Sequence, residues 1–255
     1  MKVIALNYSY DLKKLSDIGR VWAKDVYKNK DFIFEYSSAS YATFIDKNPN
    51  LKLDLYTDDI EFMKNKMSKY NINQDNVIYH DYTENLKKYD GNLRYSFDIL
   101  NDFIHFAKSN NDFTIKIDND LIFNDKIPKI DYTENDIIVW KYERLVLNGD
   151  PRMGEVKVSK NVVGDYNYPI YNLGIFGLPS TYPKDYLMEI YEKMVSVDII
   201  DVSDLGVHTW HCAEQTANNW VFYSKKYNVI ESYNFVDHLF DNKGECINRA
   251  KYLLK

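Results

Sequence analysis

Basic residues never cluster in this chain. Its 32 Lys and Arg are outnumbered by 38 Asp and Glu, for a net charge of -6. Phosphate-backbone binding rests on a Lys/Arg stripe, so the expectation is no nucleic-acid partner. Cysteine is almost missing as well. Cys212 and Cys246 have no nearby Cys to form a zinc or redox motif, and they read as reduced thiols of a cytoplasmic protein. No apolar run approaches the roughly 18 residues of a membrane span. The opening Val3-Ile4-Ala5-Leu6 is too short for the apolar segment of a signal peptide. The reading is therefore no transmembrane segment, with peripheral membrane association through a surface helix left open. Linkers rich in Pro, Gly or Ser are absent, as are repeats and low-complexity tracts, which favours a single domain over residues 1–255.

What is present is a core-forming chain, 45% hydrophobic, with alternating strand and helix patterns. Lys2 to Leu6 reads as a strand, followed by the polar loop Asn7-Tyr8-Ser9-Tyr10. Asp11 could cap a helix carrying Leu12, Leu15, Ile18, Val21, Trp22 and Val26. A helical piece spans Ser40 to Lys47, and Leu51 to Tyr56 alternates as a strand before Thr57-Asp58-Asp59. Val77-Ile78-Tyr79 is a third strand. Leu93, Phe97, Leu100, Ile104 and Ala107 then step at helical spacing. Strands alternating with helices predict an α/β fold with a parallel sheet. In such sheets ligands gather outside the carboxyl ends of the strands, which puts Asn7 to Tyr10, Asp58 and residues 118–120 on one rim.

The stretch Phe113-Thr-Ile-Lys-Ile-Asp-Asn-Asp-Leu-Ile-Phe123 organises this rim. A buried strand stops at Asp118, Asn119 and Asp120 and resumes with Leu121, Ile122 and Phe123. Residues i and i+2 of an extended chain project the same way, so the two carboxylates would face one point. They repel unless something positive sits between them, and Mg²⁺ or Mn²⁺ suits that role while keeping positions free for phosphate oxygens. A plain Asp/Asn turn is the competing reading.

The apolar strand ending in Asp118-Asn119-Asp120 resembles the metal-binding motif of the GT-A fold nucleotide-sugar glycosyltransferases. The resemblance implies a Rossmann-like, mostly parallel central sheet flanked by helices, with a smaller acceptor-side sheet. Residues 1–123 would form the nucleotide-binding half and 124–255 the donor-sugar and acceptor half. It implies that Asn7, Tyr8, Tyr10 and Asp58 hold base and ribose, with Asn119 among the nucleotide-binding residues. Tyr171-Asn-Leu-Gly-Ile-Phe-Gly177 resembles the Asn-x-Gly segment lining the donor-sugar pocket, where Asn172 would meet sugar hydroxyls. Val236-Asp-His-Leu-Phe-Asp-Asn-Lys-Gly244 resembles the late segment of glycogenin-like members, in which His238 completes the metal shell and Lys243 meets the diphosphate. The Pro-Trp that follows there is replaced by Glu245-Cys246. Glu214 would be the base of an inverting reaction or would position substrate in a retaining one, and Arg94 could assist the diphosphate.

The implied activity is transfer of a sugar from a nucleotide-sugar, with uracil favoured as the base, to a glycan or other hydroxyl acceptor, with Mn²⁺ or Mg²⁺ as cofactor. Three alternatives stay open. One is a nucleotidyltransferase or phosphohydrolase built on the same acidic pair, although no Gly-rich phosphate loop is seen. Another is a sugar-binding protein without catalysis. His208, His211 and Glu214 also invite a zinc reading, against which stands the absence of a His-Glu-x-x-His order.

Overall fold

The computed structural model describes residues 1–8, 29–89, 95–108, 113–129, 131–145, 169–197, 213–239 and 242–254. The helix expected from Asp11 and the polar stretch Gly149 to Gly164 lie outside them. Strand β1 (Lys2–Asn7) leads to helix α1 (Lys30–Lys47), then β2 (Leu53–Thr57), α2 (Ile60–Ser68) and β3 (Val77–Asp81). Next come α3 (Thr83–Tyr89), α4 (Tyr95–Lys108), β4 (Thr114–Ile117), β5 (Leu121–Phe123), β6 (Asp136–Val139) and β7 (Tyr142–Leu145). The described chain closes with β8 (Pro169–Tyr171), β9 (Ile175–Leu178), α5 (Lys184–Val197), α6 (Ala213–Lys225), β10 (Asn228–Glu231), β11 (Val236–His238) and α7 (Lys243–Leu253).

The central sheet has seven strands in the order β10-β6-β9-β4-β1-β2-β3. Strands β4, β1, β2 and β3 run parallel, as do β10 and β6, and only β9 is reversed between them. Two two-stranded sheets, β11-β5 and β7-β8, complete the architecture. This is the mostly parallel α/β arrangement that the alternation of strand and helix patterns predicts.

Period-two alternation puts the strands between two cores. Val3 and Ala5 of β1 join Leu53, Leu55, Ile115 and Ile117 on one face, covered by α1 and α7. Ile4 and Leu6 join Phe176, Leu178, Ile137 and Val139 on the other, under α4, α5 and α6. Each fully buried Leu, Ile or Phe contributes about 1.5–3 kcal/mol.

Helix α1 is longer than its sequence pattern indicates, starting at Lys30 rather than Ser40. Asn29 caps it by accepting from Phe32 N–H at 3.1 Å, and twelve of its residues are buried. A helix buried on nearly all sides has no polar face, so it leaves no helical period to read. Its buried hydroxyls are satisfied locally: Ser37 donates to Ile33 O at 2.6 Å and Thr43 to Ser40 O at 2.8 Å. Thr43 also accepts from Phe123 N–H at 3.1 Å, which ties α1 to the strand just beyond the acidic pair.

Two apolar runs are each divided between two strands. Ile137 to Tyr142 splits into β6 and β7, and Tyr171 to Gly177 splits into β8 and β9 around the loop Asn172-Leu173-Gly174. Gly177 serves packing: a Cβ there would stand 2.8 Å from Phe113 and 2.9 Å from Ile138. Among the described residues no helix is long and apolar enough to cross a membrane.

Candidate metal centre

The parallel register sets the rim. Asn7 pairs with Thr57, and Ala5 pairs with Ile117, so the residues just after β4 stand beside the end of β1. Asn119 Nδ2 donates to Asn7 Oδ1 at 3.3 Å, which joins the two strand ends. Asn7 is fully buried, and among the described residues its Nδ2 has no hydrogen-bond partner, which leaves a donor at the carboxyl end of the sheet. Asp58 sits in the bend after β2. Its neighbour Asp59 is committed to structure, capping α2 through Phe62 N–H at 3.0 Å and pairing with Lys30 at 2.6 Å. Tyr8 follows β1 and packs against the core beside it.

The aspartates are not carried on a continuous strand. β4 stops at Ile117, and Asn119 and Asp120 form a turn before β5. What brings the ligands together is a lacing of three segments by backbone hydrogen bonds. Asp118 N–H donates to Gly174 O at 2.8 Å, and Leu239 N–H donates to Asp120 O at 2.9 Å. The antiparallel pair β11-β5 sets His238 opposite Leu121. As a result Asp118, Asp120 and His238 each offer a ligand atom, all within 4.8 Å of one another, the one such cluster among the described residues.

Asp120 and His238 are deeply placed, their side chains 6% and 7% exposed, while Asp118 is one third exposed. Two ammonium groups reach the pair: Lys116 meets Asp118 Oδ1, and Lys243 meets Asp120 Oδ2. Burial pushes the Asp120 carboxyl up, but His238 and Lys243 beside it outweigh that and hold it well below the usual carboxylate range. Asp120 is therefore a permanent anion at any physiological pH.

His238 Nε2 lies 3.0 Å from Asp120 Oδ1, yet that oxygen has no hydrogen-bond partner of proper alignment. Two ligand atoms at right angles around an ion at about 2.1 Å stand about 3 Å apart, so the spacing and the misalignment both fit a cation shared between them. Gly174 provides room, since a Cβ there would lie 2.5 Å from His238 Nδ1. Two carboxylates and an imidazole form a mixed O/N set tolerable to Mn²⁺.

Asn172, expected at sugar hydroxyls, sits in this loop, and its Oδ1 contacts Gly174 N–H at 2.8 Å and His238 Nδ1 at 2.9 Å. Helix α6 is pinned to this loop. Asn219 accepts from Tyr171 N–H at 2.8 Å and donates to Tyr171 O at 3.0 Å, and Gln215 accepts from Leu173 N–H at 3.4 Å. Glu214 falls in the first turn of α6, with Ala217 and Val221 in the core. Its side chain lies outside the described residues, as do Tyr10, Arg94, His208, His211 and Cys212. Cys246 is a free, buried thiol that burial, chiefly, pushes up to about 12.

Lys116 was missed by sequence reasoning. Its signal was legible, because a lysine inside an otherwise apolar strand, two residues before Asp118, shares that residue's face. Tyr41 was missed too. Its buried hydroxyl has no hydrogen-bond partner among the described residues, and burial together with the charges of Asp118 and Asp120 drives it well above the ordinary tyrosine value.

No family model matches the chain, and no curated protein matches it by sequence. Solved structures do match. The galactosyltransferase LgtC, in complex with donor and acceptor sugar analogues, superposes with a TM-score of 0.56 at 11% identity, covering 100% of this chain and 95% of its own. Mouse xyloside xylosyltransferase 1, in its apo form, superposes with a TM-score of 0.55 at 12% identity, covering 91% of this chain and 84% of its own. At such identities the likeness is one of fold: the chain has the GT-A architecture of these two transferases.

Proposed function

We propose that the protein is a metal-dependent glycosyltransferase that moves a sugar from a nucleotide-sugar, with a UDP-sugar favoured, to a hydroxyl of a glycan or other acceptor. The observation that carries this reading is the convergence of Asp118, Asp120 and His238 at the carboxyl-end rim of a mostly parallel sheet. That two glycosyltransferases share the fold along 95% and 84% of their length supports it.

Asp118, Asp120 and His238 would hold Mn²⁺ or Mg²⁺, which supplies positive charge for the diphosphate leaving group as the glycosidic bond breaks. Lys243 lies beside Asp120 and extends that positive charge toward the same group. Asn7 and Asn119, joined across the strand ends, offer amide donors and acceptors to the nucleoside, with Tyr8, Tyr10 and Asp58 on the adjoining loops. Glu214, at the start of α6, would take the acceptor's proton in an inverting reaction, and Arg94 would assist at the diphosphate. On this reading residues 1–123 hold the nucleotide, and residues 124–255 hold the sugar and the acceptor.

The test is incubation with a panel of nucleotide-sugars and Mn²⁺. Release of nucleoside diphosphate from one donor, dependent on Mn²⁺, is expected. Release of nucleoside monophosphate would point to a phosphohydrolase, and silence across the panel to a binding protein.

A further inference from the structure

The loop Asn172-Leu173-Gly174 faces the Nδ1 side of the His238 ring. Asn172 Oδ1 receives Gly174 N–H at 2.8 Å. A backbone N–H can only donate, so the amide oxygen rather than its nitrogen must face this spot. The same oxygen lies 2.9 Å from His238 Nδ1. Facing an obligate acceptor, Nδ1 bears the ring proton. In the neutral imidazole Nε2 is then left with its lone pair, 3.0 Å from Asp120 Oδ1.

The surroundings keep the ring in this pose. A Cβ at Gly174 would lie 2.5 Å from Nδ1 and 2.6 Å from Cε1, so only glycine lets the imidazole come this close. Trp140 stands edge-on to the ring, centroids 5.1 Å apart at 89°, and its own Nε1 donates to Val236 O at 3.0 Å. Trp140 N–H in turn donates to Asn172 O at 3.0 Å, which closes the frame around the histidine.

We propose that Asn172 is the positioning residue of His238: it holds the imidazole in its Nδ1–H form so that Nε2, beside Asp118 and Asp120, is presented to a divalent cation. This rests on the cation reading given above. Metal-bound histidines generally donate their other N–H to an acceptor, and losing that acceptor typically weakens metal binding 10–100-fold. The Asn-x-Gly segment thereby acquires a role of its own as the seat of the histidine.

The experiment has two readouts on the whole protein. Long-range ¹H–¹⁵N correlations of the His238 ring, taken without metal at a pH where the ring is neutral, report the tautomer directly. Titration of Mn²⁺, with the free ion followed by electron paramagnetic resonance, reports affinity. The expected result is a wild-type ring protonated at Nδ1. Asn172→Leu should lose this preference and bind Mn²⁺ about 10–100-fold more weakly. Asn172→Asp keeps the acceptor and should keep both properties. A wild-type ring protonated at Nε2 overturns the proposal without any variant having to fold. So does an Asn172→Leu protein that binds Mn²⁺ as tightly as wild type. A wild-type ring protonated at Nδ1 in a protein that binds no Mn²⁺ overturns the cation reading instead, and with it the consequence for affinity, while the tautomer assignment stands.

Discussion

Two sites in this molecule have the same three residue types and behave differently. Asp54 lies between His80 and Lys2, and Asp120 lies between His238 and Lys243. At Asp54 the imidazole Nε2 is 2.7 Å away in a true hydrogen bond, and the ring stacks on Tyr56 at 4.3 Å. The acid there is satisfied by the base. At Asp120 the imidazole is 3.0 Å away and misaligned, its other nitrogen is taken by Asn172, and a second carboxylate stands alongside. The lesson is that an Asp-His-Lys trio is not a site in itself. Its chemistry depends on which nitrogen the surroundings occupy.

Substitution separates the two trios most widely. Asp120→Asn is expected to lower turnover about 10²–10³-fold, the several kcal/mol of charge stabilisation that a bound cation supplies. Because Asp120 is buried between His238 and Lys243, that change also carries a folding cost, so Asp118→Asn at the more exposed position makes the same test. Asp54→Asn, which removes a charged hydrogen bond, should cost about 1.5–3 kcal/mol of stability and leave turnover unchanged. If steady-state kinetics show the reverse ordering, the comparison is broken.

Glycines sharpen it next. Gly174→Ala and Gly177→Ala both force an overlap, and overpacking of this kind costs about 1–3 kcal/mol. The first displaces His238 and should weaken Mn²⁺ binding. The second presses on Phe113 and Ile138 and should lower only the denaturation midpoint. Titration of Mn²⁺ alongside chemical denaturation distinguishes them.

Acid sharpens it further. The Asp120 carboxyl is depressed from an ordinary value of 3.8, so the stability from its pairing is fully present above that pH. It is lost only as pH falls below 3.8 through the depressed folded-state value. The stability gap between wild type and Asp120→Asn should therefore shrink as pH falls below 3.8, as denaturation across that range would show. A gap that stays unchanged below 3.8 would contradict the depressed carboxyl.

The smallest effect is expected at Lys116, whose ammonium occupies Asp118. A partly exposed ion pair is worth about 0.2–1 kcal/mol. Lys116→Met should thus tighten Mn²⁺ binding by up to about fivefold, because the cation no longer competes with it.

Much of the architecture was legible from local pattern. The alternation of Lys2 to Leu6, Leu51 to Tyr56 and Val77 to Tyr79 produces parallel strands in register, and the acidic interruption at Asp118 to Asp120 marks where β4 meets the rim. Helix α1 was only half legible because burial on all sides erases its period. The apolar segment 171–177 is divided at Asn172-Leu173-Gly174, where Asn and Gly are residues that favour a turn. The loop there meets a histidine that arrives 66 residues later.

Residue order by itself determined the layered α/β class and the carboxylates at a strand end, since periods of two and 3.6 and the edge of a buried apolar run are properties of neighbouring positions. Only the tertiary structure decided that His238 turns Nε2 toward Asp120, that Asn172 faces the imidazole, and that two lysines reach the acids. Those choices depend on contacts between segments far apart in the chain, where direction and distance, rather than composition, set the energy of a hydrogen bond or an ion pair.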